Sequence, residues 1–83
     1  MLDSVKTGRK ITDLRKSRGL TQEELAGRLN ISPQAVSKWE NGRAMPELSL
    51  LVELAEALGS TIDAIIFPEA ACPAANANFE QIQ

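Results

Sequence analysis

Between the pairs Ser32-Pro33 and Asn41-Gly42 the chain carries Gln34, Ala35, Ser37 and Lys38 in the space of five positions. An amide, a methyl, a hydroxyl and an ammonium make no nucleophile–base pair. They do make a set that matches the edges of base pairs in a major groove. Glutamine pairs with adenine N6 and N7, lysine reaches guanine O6 and N7, and an alanine methyl meets that of thymine. On this reading Gln34, Ser37 and Lys38 are the candidate base readers and Ala35 is an apolar contact.

Other chemistry is scarce. The sequence has no histidine and a single cysteine. Neither a Ser-His-Asp nor a Cys-His constellation can be assembled from it, nor a conventional zinc site. The chain therefore reads as a binding protein and not an enzyme, with no cofactor. Cys72 lies in Ala70-Ala71-Cys72-Pro73-Ala74-Ala75 with no basic neighbour, and reads as an incidental thiol.

The net charge of −2 conceals an asymmetry. All nine basic residues fall within the first 43 positions, against five acids, and the remainder has six acids and no Lys or Arg. Such a division suggests one face for a polyanion and another turned away from it. Hydrophobic residues at 43% and charged residues at 24% are ordinary for one small globular domain. The run Ile65-Ile66-Phe67 is far too short to cross a bilayer, and Met1-Leu2-Asp3 does not open a signal peptide. The expected location is the cytoplasm.

The elements that must position these groups are short helices. A first runs from Val5 to Arg18 with Ile11 and Leu14 at helical spacing, and Gly19 ends it. Thr21-Gln22-Glu23-Glu24 has the form of a capping box and opens a second helix to Leu29, which turns Leu25, Ala26 and Leu29 inward. Asn30 tolerates the left-handed backbone, and Ser32-Pro33 is an N-cap followed by a favoured first residue. A third helix therefore runs from Pro33 to Asn41-Gly42. Pro46 opens a fourth to Leu58, with Leu48, Leu51, Leu54, Ala55 and Leu58 buried. Thr61 caps a fifth, striped by Ile62, Ile65 and Ile66 and broken by Pro68. Nothing alternates with a period of two, so the fold class is all-α. Residues 1–67 form the domain and 68–83 a poorly ordered tail.

The stretch Leu20-Thr21-Gln22-Glu23-Glu24-Leu25-Ala26, followed by Ser32 through Arg43, resembles the phage repressor and Cro helix-turn-helix family, also called the XRE family of bacterial regulators. The resemblance covers residues 6 to 67 and implies a five-helix, lambda-repressor-like DNA-binding domain. In that arrangement the third helix enters the major groove while the second crosses the backbone. Gln22 would then contact a phosphate, Asn41 and Arg43 would grip the next ones, with the minor groove as the alternative for Arg43, and Arg15 and Glu40 would form an internal salt bridge. Ala26 lets the two helices approach, and Val36 and Trp39 fill the space behind the third. Asn30 replaces the family's usual glycine, and Pro33 stands where some members carry a base reader.

Members of this family usually dimerise on inverted half-sites, so the expected partner is double-stranded DNA, bound by a homodimer through helices four and five. Leu50, Ile66 and Phe67 are the expected exposed anchors, and a repressor is expected because no activation or effector domain is evident. A rival reading is an antitoxin whose tail, with Phe79 and Ile82, or whose fourth helix binds a protein toxin, with DNA binding serving to autoregulate its operon. A pure protein-binding adaptor fits the polar third helix less well.

Overall fold

The computed structural model describes residues 3–68, which form α1 (Ser4–Ser17), α2 (Gln22–Leu29), α3 (Pro33–Glu40), α4 (Leu48–Leu58) and α5 (Ile62–Ile66). Cys72, Phe79 and Ile82 lie outside the described residues. Four helices start on a side chain that satisfies a free amide. Asp3 accepts from Val5 and Lys6, Thr21 from Glu24, Ser32 from Ala35 and Thr61 from Ala64. The capping box on α2 is complete, with the Thr21 amide donating to Glu24 Oε1 at 2.9 Å and the Glu24 amide to Thr21 Oγ1 at 3.0 Å. Each cap of this kind is worth about 1 kcal/mol. Asn30 takes the left-handed conformation at φ 60°, which lets the chain turn from α2 into α3.

All five helices contribute to one core: Ile11 from α1, Leu25, Ala26 and Leu29 from α2, Val36 and Trp39 from α3, Leu51, Leu54, Ala55 and Leu58 from α4, and Ile65 from α5. Helix α1 packs on α3 and α5, while α2 packs on α3 and α4. Fully burying one such aliphatic side chain stabilises by about 1.5–3 kcal/mol. Among the described residues there is no strand, and no helix is long and apolar enough to cross a membrane.

The fourth helix departs from the sequence reading. It begins at Leu48, not Pro46, and Pro46 is buried in the connection before it. Leu48, expected inside, is 71% exposed. Its phase around the helix is right, but it precedes Leu51 by a full turn and the core does not extend that far. The expected anchors Leu50 and Ile66 are instead partly buried against the core. Val52 and Phe67, with Leu48, are the exposed large apolar groups of this half.

Candidate nucleic-acid interface

Helix α3 has two opposed faces. Val36 and Trp39 point into the core, and Trp39 is 5% exposed. Gln34, Ser37, Lys38 and Asn41 recur at helical spacing on the opposite side, with Gln34, Lys38 and Asn41 exposed and Ser37 half-buried. Ala35 is half-buried on the flank. The Asn41 amide donates to Ser37 Oγ at 3.4 Å, so two members of the stripe are in contact. Anchoring one face by Val36 and Trp39 fixes the rotation of the helix and therefore the direction of the other face.

The chain after α3 is held just as firmly. Gly42 adopts φ 75°, and its carbonyl accepts from Ser4 Oγ at 3.0 Å at the start of α1. The Arg43 amide donates to the Lys38 carbonyl at 2.9 Å. Arg43 is exposed, two residues beyond Asn41.

Behind this surface lies a polar network joining three helices. Arg15 of α1 donates from Nε to Glu40 Oε2 at 2.7 Å and from Nη2 to Glu40 Oε1 at 3.1 Å, a two-pronged pairing. Its Nη1 donates to the Leu20 carbonyl at 2.8 Å. The pair is well covered, with side-chain exposures of 12% and 6%. Burial alone would push the Glu40 carboxyl up. The hydrogen bonds from Arg15 and Gln22 and the charge of Arg15 together outweigh it, holding Glu40 below the usual carboxylate range. The Arg15–Glu40 pair that the family resemblance implies is therefore ionised at neutral pH.

Gln22 carries a feature that sequence reasoning missed. Its Nε2 donates to Glu40 Oε1 at 2.9 Å, which ties the first residue of α2 to the last of α3. A side-chain amide has two N–H donors, so one remains for a ligand at the start of α2, where backbone amides also lack intrahelical partners. Gly8 is a second omission. A side chain there would collide with the carbonyl of Trp39 and stand 2.8 Å from that of Glu40. The glycine lets α1 lie directly on the end of α3. An isolated glycine inside a helical pattern was the available signal. Among the described residues no cluster of His, Cys, Asp or Glu is arranged to hold a metal ion.

The profile of the family described as helix-turn-helix matches residues 11–65. The chain belongs to the helix-turn-helix family. Its helix-turn-helix is similar to the HTH-type transcriptional activator BcrR of Enterococcus faecalis, 38% identical over 60 residues that make 72% of this chain and 29% of that protein. It is also similar to endothelial differentiation-related factor 1 of Homo sapiens, 38% identical over 68% of this chain and 38% of that one. The chain thus spans about a third of the length of these two relatives. The HTH-type transcriptional regulator y4dJ of Sinorhizobium fredii is matched over more of its length, 41% identical over 74% of this chain and 79% of that one.

Among solved structures, the restriction-modification controller protein C.AhdI of Aeromonas hydrophila superposes with a TM-score of 0.71 at 32% identity, over 76% of this chain and 96% of that one. The hydroxypropylphosphonic acid epoxidase of S. wedmorenis gives 0.73 at 29% identity, over 81% of this chain but 36% of the enzyme's. The helix-turn-helix unit thus occurs both as nearly a whole chain and as one part of a larger one.

Proposed function

We propose that this chain is a sequence-specific reader of double-stranded DNA that regulates transcription as a dimer on inverted half-sites. The observation that carries this reading is the stripe Gln34, Ser37, Lys38 and Asn41, projected opposite the buried Val36 and Trp39. A helix held this way can enter a major groove with its first residues at the base edges. Gln34, Ser37 and Lys38 supply donors and acceptors there, with Ala35 offering its methyl. Gln22, Asn41 and Arg43 hold the flanking phosphates. Gln22 is oriented for this by Glu40, and Arg43 by the turn at Gly42. The exposed Leu48, Val52 and Phe67 form the self-association face.

Occupying a promoter represses by default. BcrR, an activator by name, shares this domain over 29% of its length, so the domain by itself does not set the sign. The name of the Candida albicans relative, a multiprotein-bridging factor 42% identical over 66% of this chain, motivates a second reading. In it the same domain is a platform for other proteins. The exposed stripe of α3 is polar, which favours DNA over an apolar partner surface.

The test is selection of bound sequences from a random duplex pool at two salt concentrations. Enrichment of an inverted repeat, with affinity falling steeply in salt, is expected of a dimeric reader. In the selected site Gln34→Ala should cost about 1–3 kcal/mol and relax one position. A folded protein that enriches nothing refutes the reading and favours the platform.

A further inference from the structure

On the flank of α2 away from α3, the end of α1, α2 and α4 enclose an open concavity of about 430 Å³. Ser17, Arg18, Leu20, Arg28 and Ala57 line it, and no residue of α3 does. On α2, Gln22 marks the side that faces α3, since its amide reaches Glu40. Arg28 follows six residues later, about 120° around the helix. The concavity therefore does not share the face that carries Gln34 and Lys38.

Two guanidiniums line this site, and among the described residues neither has a hydrogen-bond or ion-pair partner. Arg18 lies against Gly59, the residue that closes α4, where a Cβ would stand 2.9 Å from the guanidinium carbon. There the negative end of the α4 dipole favours a cation and steadies its position. Arg28 comes in from the last turn of α2. The nearest acid along that helix, Glu24, has Oε1 engaged with the Thr21 amide and does not line the site. Ser17 Oγ donates to the Leu14 carbonyl at 2.9 Å and can turn its proton toward a ligand. Two forked cations and a hydroxyl around a space large enough for a small molecule are suited to a tetrahedral dianion.

We infer that the Arg18–Arg28 concavity binds the phosphate or pyrophosphate group of a small molecule, a ligand site separate from the α3 surface. Phosphates of duplex DNA offer the same chemistry, so the test must separate the two sources. The full chain is titrated with pyrophosphate, and with sodium chloride at matched ionic strength, while backbone amide shifts are recorded. Saturable shifts confined to Ser17–Leu20, Arg28 and Ala57–Gly59 are expected with pyrophosphate alone. Arg28→Gln, an exposed substitution outside the core, should weaken that binding at least tenfold, while Lys10→Gln, about two turns earlier on α1 and not lining the concavity, leaves it unchanged. Shifts that never saturate, or that chloride reproduces, overturn the inference. So does a tenfold loss of affinity for random-sequence duplex DNA in Arg18→Gln/Arg28→Gln without pyrophosphate, since the arginines would then belong to the DNA surface.

Discussion

Between Glu40, the last residue of α3, and Leu48, the first of α4, the kind of force that holds the chain changes. Upstream, α2 and α3 start on side-chain caps and α1 closes onto α3 at a glycine. The pairing of Arg15, Glu40 and Gln22 specifies donor and acceptor positions to a fraction of an ångström. Downstream, α4 has no side-chain cap, and its buried face is Leu51, Leu54, Ala55 and Leu58. Apolar packing tolerates volume-conserving exchange at modest cost, whereas a buried charge tolerates no loss of its partner. The half pinned by these polar contacts is the one that presents the stripe on α3. The half held by apolar packing carries the exposed Leu48, Val52 and Phe67.

The largest expected effect is at Glu40. Glu40→Ala leaves the Arg15 guanidinium, only 12% exposed in the intact pair, with the Leu20 carbonyl as its remaining partner. The loss should be about 3–5 kcal/mol in thermal or denaturant unfolding. The pair Arg15→Met/Glu40→Leu should recover much of it, because the penalty lies in the orphaned charge. A melting curve of Glu40→Ala that overlays the parent would erase the contrast between the halves. The pH dependence has a defined sign. The folded Glu40 carboxyl titrates below its unfolded value, so the unfolded chain binds the proton more readily. The stability it adds is fully present above about pH 4.3, the ordinary glutamate value. It is lost as pH falls through the lower folded value. Glu40→Gln should flatten that acid limb.

Two glycine replacements sharpen the comparison by making one chemical change in two settings. Alanine inside a helix is favoured over glycine by up to about 1 kcal/mol. At Gly8 the added methyl meets the backbone carbonyls of Trp39 and Glu40, which cannot rotate aside. Overpacking of this kind costs about 1–3 kcal/mol or more and outweighs the propensity gain, so Gly8→Ala should lower the melting temperature. At Gly27 nothing stands within 4 Å of the added methyl and φ is not positive. Gly27→Ala should therefore raise stability by about 0.5–1 kcal/mol. Equal shifts in the two variants would show that the closeness of α1 to α3 is not what Gly8 provides.

What was legible in the sequence follows the same division. Thr21 with Glu24, Ser32 with Pro33, and Asn30 are signals in which a residue acts on backbone within a few positions, and each stands where its neighbours imply. The stripe on α3 was legible because Val36 and Trp39 fix the phase by themselves. Arg15 and Glu40 are 25 residues apart and were found by likeness to a family, not by any local rule. Three features were not legible. The demand on Gly8 depends on which backbone crosses it. The link from Gln22 to Glu40 depends on how α2 meets the end of α3. The exposure of Leu48 depends on where the core stops, which periodicity along one helix does not encode.

The smallest expected effect on stability is at Leu48, and it tests the other side of the comparison. At 71% exposure, and as the first residue of α4, Leu48 gives up little buried area when replaced. A carboxylate at that position also faces the positive end of the helix dipole, a gain of a few tenths of a kcal/mol. Leu48→Glu should therefore leave unfolding within about 0.5 kcal/mol of the parent. Its effect on self-association should be large, because a charge would sit in the centre of the apolar group formed with Val52. Sedimentation of the protein on a selected inverted repeat would show one protomer where the parent places two. If Leu48→Glu still loads two protomers with unchanged affinity, the exposed apolar groups of α4 are not the dimer face. The partly buried Leu50 and Ile66 at the edge of the core would then be the next residues to change.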